Sequence, residues 1–94
     1  MRSMEMQLVC TDRGRAPEVR NILGKATGRR QMDDGVIVEF PNDDATARTL
    51  LEFVLAERQC CAHFTYEIAF APTLTLRLRA SGVYLLPLQM MYAL

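Results

Sequence analysis

Two neighbouring segments in the C-terminal half alternate between apolar and polar residues, and this alternation constrains the fold more than any other feature. In 65–71 every second residue is Tyr, Ile or Phe, and in 73–79 every second residue from position 74 is Leu. A period of two is typical of strands with one buried face. Pro72 lies between the segments, and proline cannot donate to a central ladder. The pattern therefore predicts two antiparallel strands, Thr65–Ala71 and Thr73–Arg79, covered on one face.

Two segments that precede this pair have the period of an amphipathic helix. Apolar residues recur every three or four positions in 16–27 and in 45–61. Residues 41–44 before the longer segment include an asparagine and two aspartates, which supply oxygens for a helix N-cap. The expected apolar face of the longer helix comprises Ala47, Leu50, Leu51, Val54 and Leu55.

Two further strands are expected upstream. Val36–Phe40 follows an Asp-Asp-Gly turn signal and alternates, with its valines and phenylalanine on the core side. A shorter alternation predicts a first strand over Met6–Thr11.

The C-terminal segment 82–94 is apolar on all sides, with Gln89 as its one strongly polar side chain. A helix of this kind is buried on several sides, and a 94-residue monomer offers little room for that. We expect this helix to cover the sheet on one side and to contact a second copy of the chain on the other.

These elements predict one α+β domain that spans residues 1–94, because domains seldom fall below about 50 residues. The expected element order is β-α-β-α-β-β-α, with an antiparallel sheet covered on one face by helices.

The composition limits the classes of partner that the protein is expected to bind. Eleven Lys and Arg balance eleven Asp and Glu, so no net charge attracts nucleic acid or an anionic membrane. No apolar run approaches the ~20 residues of a transmembrane helix, and the N-terminal residues lack a signal-peptide pattern. Three cysteines, two of them adjacent, argue against a disulfide scaffold. We therefore expect free thiols in the cytoplasm.

The end of the longer helix holds a carboxylate beside two thiols. Glu57 precedes Cys60 and Cys61 by one helical turn, in a row of otherwise apolar residues. An ionised carboxylate in an apolar setting needs a partner or a raised pKa. Such local conflicts are typical of functional positions, so these three residues form the candidate site.

Three more residues extend this site. Cys10 ends the first predicted strand on the side that faces the helices, and His63 follows the cysteine pair. Arg20, on the first helix, is a candidate counter-charge for Glu57. Thiolates prefer soft ions to Mg²⁺ or Ca²⁺. The sequence thus favours a site for Hg(II), As(III), Cu(I) or Zn(II), with the three cysteines as ligands and no metal needed for folding.

Structural explanations for the same residues stay open. Cysteine is commonly a small buried hydrophobe, and a lone histidine at a helix end is commonly a cap or surface residue. The protein is then a non-catalytic dimeric interaction module. A thiol enzyme or redox sensor, with Cys60 or Cys61 as nucleophile and Glu57 as base, is the weaker alternative, since no triad is recognisable.

The segment 57–68 resembles a family of small uncharacterised bacterial proteins whose pattern is E-x-x-C-C-x-F-x-x-F or a close relative. The resemblance covers most of residues 6–80, while His63 and the tail after Ala80 depart from it. Some members lie near mercury- or metal-responsive regulators, so the resemblance implies soft-metal or metalloid handling. The site residues that it implies are Cys10, Arg20, Glu57, Cys60 and Cys61.

Overall fold

The alternating segments form the centre of an antiparallel sheet in the computed structural model, which describes residues 16–60 and 62–93. In chain order the elements are α1 (Ala16–Gly24), β1 (Gly28–Met32), β2 (Gly35–Phe40), α2 (Asp44–Cys60), β3 (Thr65–Ala69), β4 (Leu74–Arg79), a 3₁₀ turn (Gly82–Tyr84) and α3 (Leu85–Tyr92). The α+β class and the antiparallel sheet are confirmed. The first predicted strand, Met6–Thr11, lies outside the described residues.

The four described strands lie in the order β1-β2-β4-β3, and every neighbouring pair is antiparallel. The β1–β2 hairpin pairs Met32 with Gly35 around a two-residue turn. In the centre of the sheet, Val38 of β2 pairs with Leu76 of β4. β1 and β3 are therefore the two edges of the described sheet.

One face of the sheet packs against the helices and forms the core. β2 and β4 place every second side chain on this face, as their alternation predicts. Each fully buried Val or Leu contributes about 1.5–3 kcal/mol relative to exposure. The buried apolar residues are Val19, Ile22, Val36, Val38, Phe40, Leu50, Phe53, Val54, Phe64, Leu74, Leu76, Leu78, Leu88 and Tyr92.

The N-terminus of α2 is capped as the sequence predicts. The backbone N–H of Thr46 donates to Oδ1 of Asp43 at 2.8 Å, and the N–H of Ala47 donates to the backbone carbonyl of Asp43. The hydrogen bond from the backbone of Thr46 is the main reason that the pKa of Asp43 lies below its ordinary value, and the positive charge of Lys25 adds to this lowering.

The structure corrects three expectations about the elements. α1 ends at Gly24, and the residues that follow lead into β1, a strand that the sequence did not predict. Leu51 and Leu55, expected on the core face of α2, are 50% and 42% exposed. Phe70 follows the last residue of β3 and is 59% exposed, so it does not continue the buried face of that strand.

The C-terminal helix covers part of the sheet. α3 packs mainly against β2, with Leu88 and Tyr92 fully buried. The side-chain amide of Gln89 donates to the carbonyl oxygen of Met32 at 2.8 Å, which ties α3 to the end of β1. No helix within the described residues is both long enough and apolar enough to cross a membrane.

Candidate functional site

Glu57 is the one acidic or basic side chain that is buried within the described part of the chain, and its exposed fraction is 0%. It lies on α2 in the same row as Leu50, Phe53 and Val54, which are also buried. Residues three, four and seven apart on a helix share one face. The helix therefore holds this carboxylate inside the core, where the sequence analysis placed it.

Tyr92 contacts this carboxylate from the opposite end of the chain. Its hydroxyl lies 3.4 Å from Oε2 of Glu57 and donates a hydrogen bond to it, and Tyr92 is itself 0% exposed. The backbone carbonyl of Tyr92 accepts a hydrogen bond from Nη1 of Arg29 at 3.4 Å. The pair connects α2 to the last turn of α3, and β1 supports that turn through Arg29.

The sequence pattern does not indicate Tyr92 as a site residue. The two residues are 35 positions apart, and local spacing carries no information about such a contact. One signal was present: a buried tyrosine hydroxyl needs a partner, and Tyr92 lies in a segment that was expected to be buried.

Of the three candidate cysteines, only Cys60 lies within the described residues. Cys60 is the last residue of α2 and follows Glu57 by three positions, so their Cα atoms lie on the same side of the helix. Cys10 and Cys61 lie outside the described residues. Among the residues that the structure describes, no group of three His, Cys, Asp or Glu side chains is placed to hold a metal ion.

His63 lies in the turn after α2, and its ring stacks on Tyr84. The ring centroids are 4.2 Å apart and the planes differ by 9°. The imidazole is otherwise exposed, so this contact attaches the turn to the residues that introduce α3. The ring that was expected to support the cysteine pair packs here against an aromatic side chain.

Arg20 is exposed on α1, whereas Glu57 is fully buried. Within the described ranges, the two side chains form no ion pair. The structure therefore does not bring Arg20 to the carboxylate that it was expected to neutralise.

The direction of α1 relative to α2 determines which end of α2 lies near Ala16, which follows Cys10 by six positions in the sequence. α1 and α2 border a shared cavity of about 300 Å³. The backbone N–H of Thr27, three residues after α1, donates to the carbonyl of Glu39 at 2.7 Å, and α2 begins five residues after Glu39. The C-terminal end of α1 and the N-terminal end of α2 therefore lie at the same end of the β1–β2 hairpin. The two helices are thus antiparallel, and Ala16 begins α1 at the end that points toward the C-terminal half of α2.

No family model, no curated protein and no solved structure matches this chain.

Proposed function

We propose that this chain is a small cytoplasmic thiol protein that binds a soft metal or metalloid through Cys60 and Cys61, with Cys10 as a third ligand. One observation carries the proposal: the buried carboxylate of Glu57 lies one helical turn before Cys60, the first residue of the cysteine pair in the sequence. A buried carboxylate costs several kcal/mol unless its surroundings compensate, so packing alone gives no reason to retain one here.

The position of Glu57 suits a group that assists ligation by thiols. Cysteine binds soft ions as thiolate, so each ligand must lose its proton. Glu57 takes up such a proton or adjusts the protonation of the neighbouring thiols. The hydroxyl of Tyr92 keeps the carboxylate fixed on the side of α2 on which Cys60 also lies.

The course of α1 supports the inclusion of Cys10. α1 has nine residues and is about 13 Å long, so it covers half of the 17-residue helix α2. Cys10 precedes Ala16 by six positions, and six residues span at most about 20 Å. The distance from Ala16 to the end of α2 is therefore within the reach of Cys10.

The second candidate is a non-catalytic module that assembles through its C-terminal segment, with the cysteines as packing residues. One observation favours it: Val83, Leu86 and Met90 project from the C-terminal segment into solvent, and Leu86 is 64% exposed. Soluble proteins rarely leave a contiguous apolar patch uncovered, and such patches commonly mark protein contacts.

Native mass spectrometry of the reduced protein with a trivalent dihydroxy-organoarsenical, in excess glutathione, tests the first proposal. As each As–S bond forms, one As–O bond breaks, and the thiol proton leaves with the hydroxyl as water. Two protein thiols that bind one arsenic therefore release two waters. We expect one adduct per chain with this mass, because monothiols compete weakly with converging cysteines.

Two variants separate the candidates. The double variant Cys60→Ser/Cys61→Ser should keep the wild-type circular dichroism spectrum and lose the adduct. Cys10→Ser should keep the adduct, because this arsenical has only two exchangeable As–O bonds. With inorganic arsenite, As(OH)₃, the wild-type chain should form three As–S bonds and release three waters, whereas Cys10→Ser should form two and release two. The module predicts the reverse: no adduct on the wild-type chain, and a double variant that differs only in its free energy of unfolding. Either part of that result would contradict thiol ligation.

A further inference from the structure

An exposed apolar row follows α2 on the side away from α1. Leu51 and Leu55 are 50% and 42% exposed, and Ala47 lies half-buried one turn before Leu51. Positions 47, 51 and 55 are four apart, so they form a continuous stripe along the helix. Leu51 and Leu55 do not belong to the core of the described domain, which uses the row through Leu50 and Val54, and Ala47 packs against the edge of that core.

The stripe forms one wall of a groove, and the end of β3 forms the other. The groove has a volume of about 530 Å³. Phe70, 59% exposed, lies in the second wall, and its carbonyl accepts a 2.7 Å hydrogen bond from Nδ2 of Asn42. The groove is lined by Asp44, Ala47, Arg48, Leu51, Ile68 and Phe70.

Opposite charges mark the two ends of this row. Asp44 and Arg58 lie seven residues before and seven residues after Leu51, and both are exposed. Seven residues are almost two full turns, so all three lie on one line along the helix. The row is acidic at its N-terminal end, apolar in the middle and basic at its C-terminal end.

This arrangement is complementary to itself. When two copies of a helix pair antiparallel around a two-fold axis at position 51, each position 51+n faces position 51−n. Leu51 then contacts Leu51 of the partner subunit, and Leu55 contacts Ala47 of the partner subunit. Asp44 faces Arg58 of the partner subunit, and the symmetry produces this ion pair twice.

We propose that the exposed row of α2 is a self-association surface on which a second copy of this chain docks antiparallel, with Asp44 paired to Arg58 of the partner subunit. The end of the partner's α2 that carries Leu55 lies in the groove beside Phe70. This interface is distinct from the C-terminal segment and does not depend on metal binding. Charge complementarity between the ends of the row selects a second copy over another protein.

Charge exchange between two variants tests the register. In Asp44→Lys, both cross-dimer contacts become Lys–Arg, and in Arg58→Glu both become Asp–Glu. Each variant alone should self-associate roughly tenfold more weakly than wild type, because two attractive contacts become repulsive. A mixture of the two variants has only opposite-charge contacts and should form a one-to-one heterodimer. Sedimentation equilibrium measures all three association constants.

A pair of apolar substitutions provides the matched control. Leu51→Glu places a charge at the centre of the proposed contact and should abolish dimerisation through the exposed row of α2. Leu86→Glu makes the same change at an exposed residue of α3, which is 64% exposed against 50% for Leu51, and should retain this dimerisation. Both positions are exposed, so both variants should fold, which circular dichroism checks.

The proposal is overturned if the wild-type chain stays monomeric across the micromolar range. It is also overturned if mixing the charge variants restores no association, or if Leu86→Glu, and not Leu51→Glu, abolishes dimerisation. Each of these outcomes leaves the arsenical experiment unaffected, so failure of this surface and failure of thiol ligation are distinguishable.

Discussion

The carboxyl group of Glu57 is buried in the apolar core, and the hydroxyl of Tyr92 donates a hydrogen bond to it. A hydrogen bond to a charged group contributes about 1.5–3 kcal/mol, against about 1 kcal/mol for a neutral pair. Loss of the donor is costly because the acceptor stays buried. Glu57 and Tyr92 are therefore energetically coupled.

Tyr92→Phe should lower the free energy of unfolding by about 1–3 kcal/mol, because it removes the hydroxyl and leaves the buried carboxylate short of a donor. Urea denaturation at neutral pH measures the change. Tyr84→Phe is the matched control: within the described residues its hydroxyl donates no hydrogen bond, so it should change stability by less than about 0.5 kcal/mol. Equal losses in the two variants would mean that the contact between Tyr92 and Glu57 is not stabilising.

The burial of Glu57 could be predicted from the sequence because it follows from helical spacing on one element. The hydrogen-bond partner of Glu57 could not be predicted, because Tyr92 contacts Glu57 through the packing of α3 on the sheet. Arg20 was expected to be the partner of Glu57 because its charge is opposite. It lies on the exposed side of α1, while Val19 and Ile22 occupy the buried side.

At the scale of the elements, Gly35 fixes how closely β2 approaches β4. It starts β2, is buried and pairs with Arg79. A Cβ atom at this position would overlap the backbone carbonyl of Leu78, and a backbone atom in a central strand cannot move aside as the tip of a flexible side chain can. Only glycine fits this register without a shift of one strand.

Gly35→Ala should destabilise the protein by about 1–3 kcal/mol, the usual cost of an overpacked core. Gly24→Ala is the control with the opposite sign. Gly24 ends α1, and no atom lies within 4 Å of the position of its added Cβ. Alanine there should stabilise the helix by about 0.5–1 kcal/mol. Thermal denaturation of both variants checks the prediction, and a stable Gly35→Ala variant would contradict the β2–β4 register.

The three strands predicted from alternation within the described residues agree with the structure within two residues at each end, because one buried face dictates their pattern. β1 was missed for the opposite reason. Its sequence, GRRQM, shows no apolar alternation, and three of its five residues are exposed. As an edge strand it depends on the ladder with β2, and the Asp-Asp-Gly turn was the available signal.

At the scale of the whole molecule, the sheet and the three described helices leave several large apolar side chains exposed. The sequence alone could not show which apolar residues lie outside the core. Leu51 and Leu55 were expected in the core, but the row through Leu50 and Glu57 faces the sheet instead. The C-terminal segment is divided in the same way, since Leu88 is buried and Leu86 is exposed.

This division of α3 predicts opposite consequences for two leucines that are two residues apart. Leu88 is 0% exposed in the core that α3 shares with β2, so Leu88→Ala should cost about 2–5 kcal/mol through lost burial and the cavity left behind. Leu86→Ala should cost less than about 0.5 kcal/mol in the monomer. Urea denaturation at low protein concentration separates these values from any effect of association. A large loss for Leu86→Ala that grows with protein concentration would instead place Leu86 in an interface between copies of the chain.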